Sequence, residues 1–264
     1  MNIEDIKKHL KNDIDLIIYD VATSSNTLAK EYASKGAKEG TTVIVKSQTS
    51  GKGRLGRSFL SSSETGLYMS IILRPKISPD KCVSITAMAA SAVLEAIEIT
   101  STARPQIKWV NDIYMSEKKV CGILTESAYN YEANNLDFII CGIGVNITPP
   151  DGGFADEIKD IAGAIFENEA PRGYKSILCA EILNSFFRYY NELDSKSYLT
   201  TYKNKSNIIG KSVDVYKGND IISGLAIDIT DNAELVVKKE NGEICVFNSG
   251  EARVRQVGKK LSYK

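Results

Sequence analysis

Apolar residues recur along the first part of the chain at two different spacings. Runs that are continuously apolar, or apolar at every second position, predict strands, whereas apolar positions three to four residues apart predict helices. Strands are predicted at 16–19, 41–45, 67–73, 106–115, 120–126 and 136–146. Helices are predicted over 1–16, 155–168 and 172–194, together with a core helix that Ser78-Pro79 opens. This part of the chain therefore mixes both kinds of element.

Towards the end of the chain, apolar residues occur at every second position. The alternating residues are Val213, Val215, Leu225, Ile227, Ile229, Leu235 and Val237. Asn241-Gly242 is a strong hairpin signal, and five short strands in so few residues predict a small β-barrel module. Because residues 198–206 lead out of the preceding elements, we expect a large domain over 1–206 and a small one over 207–264.

A glycine-rich and basic loop follows the predicted strand 41–45. Residues 51–57 are Gly-Lys-Gly-Arg-Leu-Gly-Arg, so three glycines are interleaved with the cations Lys52, Arg54 and Arg57. Glycine lets a backbone turn and approach a ligand closely. Neighbouring cations repel one another unless an anion lies among them, so the loop predicts a polyanion site, most simply for a nucleotide phosphate. The alternative is a solvated basic hairpin tip, although such a tip needs only one glycine.

Two known phosphate motifs match this loop by letter. Gly51-x-Gly53-x-x-Gly56 satisfies the dinucleotide fingerprint, and the loop is one residue away from a P-loop, with Arg57 in place of lysine. Both motifs require a helix to begin directly after the glycines. Residues 58–66 are typical of a loop before the next strand, so neither motif applies.

Three further stretches have both a structural and a functional interpretation. Residues 23–26, Thr-Ser-Ser-Asn, precede a predicted helix; one of them suffices as an N-cap, and the cluster equally suits hydrogen bonds to a small polar ligand. Asn111-Asp112 interrupts the predicted strand 106–115, either as a turn or as an amide and a carboxylate beside a ligand. Glycines at 142 and 144 inside a strand indicate close approach of a ligand or another backbone.

Composition narrows the chemistry that this chain performs. The 264 residues carry 33 Lys+Arg and 33 Asp+Glu, so no net charge attracts DNA or an anionic membrane. The sequence pattern predicts no apolar run that is long enough to span a bilayer, and residues 1–20 do not resemble a signal peptide. We therefore expect a cytoplasmic protein. Five scattered cysteines argue against a disulfide framework and a zinc site. With His9 as the single histidine, catalysis has to rely on cations, carboxylates and backbone dipoles.

Four motifs, taken together, resemble those of the biotin protein ligases. They are the loop 51–57, the segment Lys108-Trp109-Val110-Asn111-Asp112-Ile113-Tyr114 followed by Lys119-Val120-Cys121-Gly122-Ile123-Leu124, the triplet Ser24-Ser25-Asn26, and the strand Gly142-Ile143-Gly144-Val145-Asn146. The resemblance implies an α+β fold with a mixed, largely antiparallel sheet and helices, similar to the catalytic domain of class II aminoacyl-tRNA synthetases. A small SH3-like β-barrel would follow it.

The same resemblance implies a two-step reaction. Biotin and ATP form biotinyl-5′-AMP and pyrophosphate, and the biotinyl group then passes to a lysine of a biotin carboxyl carrier protein or domain. Biotin's carboxylate is ionised near neutral pH, so the first step needs no general base. It needs Lys119, Arg54, Arg57 and Mg²⁺ to offset the repulsion between carboxylate and triphosphate. For the second step, Asp112 is the candidate that orients or deprotonates the acceptor amine.

By resemblance, the site residues fall into three groups. The catalytic residues are Lys119, Asp112 and Arg54. The biotin contacts are Ser24, Ser25, Asn26, Gln48, Gly51, Lys52, Gly53, Arg54, Lys119 and Gly122. The ATP or adenylate contacts are Lys52, Arg54, Arg57, Asn111, Lys119 and Asn146. The metal ligands stay open, and without the resemblance Lys118-Lys119 is typical of a solvated hairpin tip.

Three positions depart from the family pattern. Val110 replaces the usual proline and touches no reacting group. Lys52 replaces the commoner arginine, which keeps the charge but loses the planar fork used in bidentate contacts. Ser25 replaces threonine and keeps a hydroxyl.

Three alternative functions are separable from biotin ligation. A lipoate or octanoate ligase shares the fold but lacks the glycine-cation loop and the Lys-Trp-x-Asn-Asp segment. A biotin-responsive transcriptional repressor carries an N-terminal winged helix-turn-helix, for which the eighteen residues before Tyr19 are too few. A binding module without turnover leaves the loop cations unexplained. We therefore expect a monofunctional enzyme without a nucleic acid or membrane partner, either a monomer or a homodimer.

Overall fold

The computed structural model describes residues 1–61, 65–78, 82–130, 135–249 and 251–254. The largest sheet in it has seven strands. They are β1 (Leu16–Ala22), β2 (Thr42–Gln48), β3 (Gly66–Leu73), β4 (Gln106–Lys108), β5 (Asp112–Met115), β6 (Lys118–Asn130) and β7 (Asn135–Asn146). Their spatial order is β1-β2-β3-β7-β6-β5-β4, with β1 and β2 parallel and the other neighbours antiparallel. The predicted mixed sheet is therefore confirmed.

Helices cover both faces of this sheet. They are α1 (Ile3–Lys7), α2 (Ser25–Ser34), α3 (Cys82–Thr100), α4 (Tyr174–Asn191) and α5 (Tyr198–Asn204). Successive residues of a strand point to opposite faces. Accordingly, Val43 and Val45 belong to the apolar cluster of Ala29 and Ala33 on α2, whereas Ile44 belongs to the cluster that holds α3 and α4. The site described below lies on the α2 face.

The helix α3 forms the centre of the core. Its predicted apolar stripe is fully buried, at positions Ile85, Met88, Ala89, Ala92, Val93, Ala96 and Ile97. The sequence pattern predicted no apolar run long enough to span a bilayer. That prediction is wrong, because α3 is long enough and apolar enough to do so. Most of α3 is nevertheless buried inside the protein, which accounts for its apolar composition. Pro79, predicted to open this helix, lies outside the described residues.

A second sheet follows α5. Its strands are β8 (Ser212–Lys217), β9 (Asp220–Ile229), β10 (Leu235–Lys238), β11 (Ile244–Phe247) and β12 (Glu251–Val254), in the order β11-β10-β9-β8-β12. The predicted alternation is wrong at Leu225 and Ile227, which are exposed, while Ala226 and Ile229 are buried. The cause is a β-bulge: Val236 pairs with Asp228 and Val237 with Ala226, so the buried face of β9 shifts by one residue. The domain boundary at 206 and 207 stays a prediction.

The predicted helix over 155–168 is wrong. Residues 151–163 form successive short turns, closed by local bonds such as Lys159 N to Ala155 O, and the segment then bonds to the sheet instead of continuing as a helix. Lys119 N donates to Ile161 O at 2.7 Å, and Gly163 N donates to Lys119 O at 2.8 Å. This segment therefore lies beside the start of β6.

Two other predicted elements are divided or shorter. The strand over 106–115 is a tight hairpin of β4 and β5, in which Lys108 pairs with Asp112, so the turn interpretation of Asn111-Asp112 is correct for the backbone. The N-terminal helix ends at Lys7 instead of Leu16. After it, the backbone N–H of Lys11 donates to Asn184 Oδ1 of α4 at 2.9 Å, so a tertiary contact replaces the helical one.

Candidate active site

A pocket opens on the α2 face of the seven-stranded sheet, between α2, the glycine-cation loop and β6. It encloses about 440 Å³ of empty space, including its open mouth. Its lining residues are Ser24, Ser25, Asn26, Gln48, Lys52, Gly53, Arg54, Phe59, Tyr68, Asn111, Lys119, Gly122, Ile123, Leu124, Gly142, Ile143 and Gly144. The pocket thus brings together every predicted biotin contact except Gly51, and four of the six predicted nucleotide contacts.

Glycines make the floor of this pocket hollow. One row across the sheet pairs Tyr68 with Gly144, Gly144 with Gly122, and Gly122 with Asp112. Since paired residues project to the same face, the two central strands contribute no side chain between Tyr68 and Asp112. The depression is therefore set by the sequence of β6 and β7.

The strand glycines also permit two close contacts. A Cβ atom at Gly142 would collide with the side-chain oxygen Oδ1 of Asn26. A Cβ atom at Gly144 would lie 2.8 Å from the ring of Phe59. Close approach at these two glycines therefore occurs, but the approaching groups are protein side chains and not another backbone, and approach of a ligand stays a prediction.

The polar triplet lies where α2 begins. Ser24 occupies the N-cap position, but its side chain makes no capping hydrogen bond. Ser25 and Asn26 form the first turn of the helix, and all three residues are at least 95% buried. Capping therefore does not account for these side chains, which line the pocket instead.

Asn26 is the centre of a buried hydrogen-bond network. Its Nδ2 donates to Glu126 Oε2 at 2.7 Å and to Leu124 O at 3.3 Å. On the other side, Ser70 Oγ lies 2.6 Å from Asn26 Oδ1 and 2.8 Å from Ser25 Oγ. The network connects the first turn of α2 to strands β3 and β6.

Gln48 connects the triplet to the glycine-cation loop. Its Oε1 accepts the backbone N–H of Ser25 at 2.7 Å, and its Nε2 donates to Ser61 Oγ at 2.7 Å. The Ser61 hydroxyl in turn donates to the carbonyl of Phe59 at 2.9 Å. The end of β2 therefore fixes both the helix start and the residue at which the loop returns.

The glycine-cation loop doubles back on itself. Phe59 N donates to Gly51 O at 2.9 Å, Gly53 N donates to Arg57 O at 2.7 Å, and a short 3₁₀ turn spans Arg54–Gly56. The shape is that of a small hairpin, so the alternative interpretation was correct about the backbone. The loop's exposed residues Lys52, Leu55, Gly56 and Arg57 agree with that interpretation as well, but Lys52, Gly53 and Arg54 also line the pocket.

Arg54 is held against the β4–β5 turn. Its guanidinium donates to Asn111 Oδ1 at 2.9 Å. The Asn111 amide donates in turn to Ile123 O at 3.0 Å, and Ile123 N donates to Asn111 O at 2.9 Å. Asn111 therefore works as a support for Arg54 as well as a wall of the pocket.

A β-bulge directs Lys119 into the pocket. Ile113 pairs with Cys121 and Tyr114 pairs with Lys119, so Val120 has no partner on β5. In an unbroken strand Lys119 would share the core face of Cys121, whereas the bulge re-aims its side chain. The ammonium of Lys119 lies over Gly122 and 2.8 Å from Asp112 Oδ1.

The Lys119–Asp112 pair is an ion pair without an aligned hydrogen bond. Asp112 Oδ1 is buried and has no hydrogen-bond donor, although the Lys119 nitrogen is within 2.8 Å. The two side chains are 31% and 21% exposed, so solvent screens the pair only in part. An acceptor oxygen with unused capacity therefore lies beside a cation at the edge of the pocket.

The turn that carries Asn111 is anchored by the second half of the chain. The indole N–H of Trp109 donates to Ala233 O at 2.9 Å, and Tyr202 Oη donates to Val110 O at 2.8 Å. Trp109 is buried, as predicted. The second sheet and α5 thus support the turn from behind.

Four predicted site residues lie outside the pocket lining. Gly51 is at the base of the loop, and Arg57 is exposed beyond its tip. Asn146 donates from Nδ2 to Gly163 O at 3.0 Å, which tethers the segment that was predicted to be a helix. Asp112 forms an ion pair with Lys119 of the pocket and pairs with Gly122 across the sheet. Their roles stay predictions.

Several residues at the site were missed in the sequence. They are Phe59, Tyr68, Ser70 and Glu126. Tyr68 and Ser70 had a signal, since they alternate with Leu67 and Met69 and so place polar groups on one face of a buried strand. Burial raises the pKa of Tyr68 to about 12, which keeps its hydroxyl protonated. Phe59 and Glu126 are positioned by tertiary contacts alone.

Metal-ligating and thiol groups are sparse in the described part of the chain. No three His, Cys, Asp or Glu side chains cluster there. All five cysteines are free thiols, and burial raises the pKa of Cys121, Cys141 and Cys179. The described residues thus offer neither a metal cage nor an activated thiol.

Comparison with known sequences identifies relatives of both halves of the chain. Residues 18–146 match the profile of the biotin/lipoate A/B protein ligase family, and residues 208–255 match that of the biotin protein ligase C terminal domain. The bifunctional ligase/repressor BirA of Bacillus spizizenii is 32% identical over 244 residues, covering 90% of this chain and 74% of that protein. The biotin–[acetyl-CoA-carboxylase] ligase of Mycobacterium tuberculosis is 25% identical over 246 residues, covering 90% and 87%.

Comparison with solved structures finds the same architecture. The biotin protein ligase from Aquifex aeolicus, solved in complex with biotin and ATP, aligns with a TM-score of 0.76 and 26% sequence identity. The alignment covers 92% of this chain and 99% of that chain.

Proposed function

The chain belongs to the biotin/lipoate A/B protein ligase family, and from that premise we propose that it is an ATP-dependent biotin protein ligase. It joins biotin to ATP to give biotinyl-5′-AMP and pyrophosphate, and then transfers the biotinyl group to a lysine. The acceptor is a biotin carboxyl carrier protein or domain, in keeping with the ligase name of the mycobacterial relative.

One observation carries this proposal: a single pocket joins a neutral polar wall to a group of cations. The wall is formed by Ser24, Ser25 and Asn26, and the cations are Lys52, Arg54 and Lys119. Biotin suits such a pocket, because it has a neutral ureido ring at one end and a carboxylate at the other. ATP then brings its phosphates to the end where the carboxylate lies.

The cations perform the first step by electrostatics and positioning. Biotin's carboxylate attacks the α-phosphorus of ATP, a new O–P bond forms, and pyrophosphate leaves with the electrons of the broken bond. Two anions have to approach each other, so Lys119 and Arg54 offset their repulsion and stabilise charge on the α-phosphate. Asn111 holds Arg54 in place for this, at 2.9 Å.

Asp112 acts in the second step. The acceptor lysine has a pKa of about 10.4 in water, so it has to lose a proton before its amine attacks the acyl carbon. Asp112 Oδ1 has unused acceptor capacity and lies 2.8 Å from Lys119, the residue that we propose to contact the acyl phosphate. It orients the amine or accepts its proton, and AMP leaves when the amide bond forms.

Mg²⁺ would be supplied as a complex with the nucleotide. Magnesium commonly uses one or two carboxylates together with phosphate oxygens and water. The described residues contain no cluster of three His, Cys, Asp or Glu, which suits a metal held mainly by the triphosphate. When bound, it neutralises phosphate charge.

The remaining architecture is inferred from the family. We assign residues 1–206 to a catalytic domain of the class II aminoacyl-tRNA synthetase type and 207–264 to an SH3-like barrel, which the match of 208–255 supports. Free cysteines throughout suit a reducing cytoplasm. We infer a monomer or homodimer, to be settled by ultracentrifugation.

Two alternative functions make different predictions. A lipoate or octanoate ligase would bind lipoate with ATP, whereas this chain should bind biotin with ATP; calorimetry separates them. A repressor would bind operator DNA. The absence of net charge argues against such binding, and a sequence-specific, salt-sensitive gel shift would overturn the expectation.

Mass spectrometry of a carrier domain tests the proposed function. After incubation with this protein, biotin, ATP and Mg²⁺, the carrier should gain the mass of one biotinyl group on one lysine. No mass gain, or a gain with lipoate in place of biotin, would refute the proposal.

A further inference from the structure

A second pocket opens on the opposite face of the large sheet, where α3 begins. It encloses about 560 Å³ of empty space, including its open mouth. The first turns of α3 form one wall, and the rest of the lining includes Ile123, Thr125 and Ser127 of β6 together with Val110 and Asn248. We call this cavity the α3-face pocket. It combines apolar walls with a few polar groups, which is the usual composition of a small-molecule site.

Arg54 lies where the two pockets meet. It lines both the active-site pocket and the α3-face pocket, as Ile123 does. Successive residues of β6 point to opposite faces of the sheet, so Leu124 lies toward the active-site pocket and Thr125 toward α3. Strand β5 pairs with β6 only as far as Gly122, so the two faces of the sheet meet at the edge of β6 beside Ile123.

The charge of the α3-face pocket favours an anion. Among the described residues that line it, Arg54 is the only charged one, and none is a carboxylate. Thr86 and Thr125 share a hydrogen bond of 2.8 Å, which uses only one of their two hydroxyl protons. A cation beside hydroxyl groups attracts a negative charge, and the planar fork of a guanidinium matches a carboxylate.

The apolar part of the lining determines the body of the ligand. Val83, Val110 and Ile123 belong to it, and the last two are buried. An apolar group would cover these side chains and gain free energy from leaving water, whereas a bare inorganic anion would not. One guanidinium balances one negative charge, so a monocarboxylate suits the pocket better than a phosphate.

From this geometry we propose that the α3-face pocket is a second ligand site, for a small monocarboxylate with an apolar body, and that its occupation draws Arg54 away from the active-site pocket. Arg54 is held there by a 2.9 Å hydrogen bond to the neutral amide of Asn111, and a bond to a carboxylate is stronger because both partners are charged. The inhibitory half of the inference rests on the proposed function, in which Arg54 stabilises charge on the α-phosphate.

Binding is tested with benzoate, and benzamide serves as the neutral probe of the same shape. NMR titrations of the full chain should show benzoate binding at least about tenfold more tightly than benzamide, because only benzoate gains the ion pair. Arg54→Met should bring this preference close to one.

Three further variants locate the site. Val83→Phe fills the α3-face pocket and should weaken benzoate by at least about tenfold. Ile99→Phe is the matched control: it adds an aromatic ring to the exposed far end of the same helix and should leave binding unchanged. Ser127→Asp, at an exposed position of the lining, places a carboxylate in the pocket and should also weaken benzoate by roughly tenfold, even if Val83→Phe folds poorly.

Inhibition is tested by pyrophosphate release with biotin and ATP. Benzoate should slow release by about tenfold or more, and saturating biotin should not restore the rate, because the two ligands occupy different pockets. Benzamide should have no effect. Val83→Phe should release pyrophosphate within about twofold of the wild-type rate and should resist benzoate.

Three results would overturn the inference. Benzoate binding that survives both Val83→Phe and Ser127→Asp would locate the ligand elsewhere. Equal affinity for benzoate and benzamide would remove Arg54 from the site. Inhibition that disappears as biotin is raised would place benzoate in the active-site pocket. If wild type released no pyrophosphate with biotin and ATP, the proposed function would be wrong, whereas the titrations would still decide whether the second site exists.

Discussion

At its α2 end the pocket is walled by buried side chains that bond to one another, whereas at its loop end it is walled by cations that are partly exposed. Ser25, Asn26 and Ser70 are at least 95% buried. Lys52 is exposed, and the side chain of Lys119 is 31% exposed. In the proposed function, the neutral ring of biotin would meet a preformed wall, which would lower the entropic cost of binding. Its carboxylate and the phosphates of ATP would meet cations that stay hydrated until the ligand covers them.

The largest effect should come from removing the central cation of the loop end. Lys119→Met should slow adenylate formation by about 10²- to 10³-fold, as loss of one preorganised donor does. Biotin binding without ATP should change much less, because the ring is held at the other end. Pyrophosphate release measures the first quantity and calorimetry the second.

Lys118→Met is the control for this prediction. Lys118 is the adjacent lysine, and its ammonium donates to Lys159 O at 3.1 Å, outside the pocket. It should retain wild-type rates. Equal rates of pyrophosphate release in Lys119→Met and Lys118→Met would contradict the assignment of adenylate formation to the loop end of the pocket.

The next largest effect separates the two chemical steps. Asp112→Asn removes the acceptor charge beside Lys119, and should slow transfer from preformed biotinyl-5′-AMP by roughly 100-fold, within the range of general acid–base catalysis. Adenylate formation should fall by a smaller factor. Single-turnover assays measure both rates; equal losses in the two steps would remove Asp112 from the transfer role. Asp156→Asn, at an exposed surface ion pair, serves as the control.

A smaller effect is expected from filling the ring end. A methyl group at position 142 in Gly142→Ala collides with Asn26 Oδ1, and such overpacking costs about 1–3 kcal/mol. Biotin affinity should therefore fall by roughly 5- to 150-fold, while the affinity for ATP alone stays within roughly twofold. Calorimetry with each ligand measures this. Equal losses for both ligands would mean that the two ends are not independent.

The smallest effect should come from the support behind the loop end. Trp109→Phe keeps the buried ring but removes the N–H bond to Ala233, and should lower the free energy of unfolding by about 1 kcal/mol. Adenylate formation should slow a few-fold, because the turn that carries Asn111 loses an anchor. Thermal unfolding and pyrophosphate release measure the two quantities. A loss of stability without any change in the rate of pyrophosphate release would show that the Trp109–Ala233 hydrogen bond does not affect the position of Arg54.

Much of the site was predictable because its residues lie in short local motifs. The loop 51–57, the triplet 24–26 and the glycines at 142 and 144 each carry a signal within a few positions, and they supply eight of the seventeen residues that line the pocket. The resemblance to biotin protein ligases then identified Lys119 as a site residue, whereas the pattern alone predicts a solvated hairpin tip at this position.

The rest depends on register and on distant partners. A bulge at Val120 turns Lys119 away from the core face, and a second bulge in β9 moves Leu225 and Ile227 to the surface. No glycine or proline at either bulge indicates its presence in the sequence. Glu126 meets Asn26 across a hundred residues of sequence, and residues 151–163 bond to the sheet instead of forming a helix. Alternation and spacing contain no information on such pairings.

Exchange of labelled pyrophosphate into ATP, without any carrier protein, tests the central claim most directly. The claim is that one pocket brings the carboxylate of biotin and the phosphates of ATP together under Lys119 and Arg54. Wild type should catalyse exchange that requires biotin, and Lys119→Met should lose it by about 10²-fold or more. Exchange that proceeds without biotin, or that survives Lys119→Met unchanged, would contradict the account.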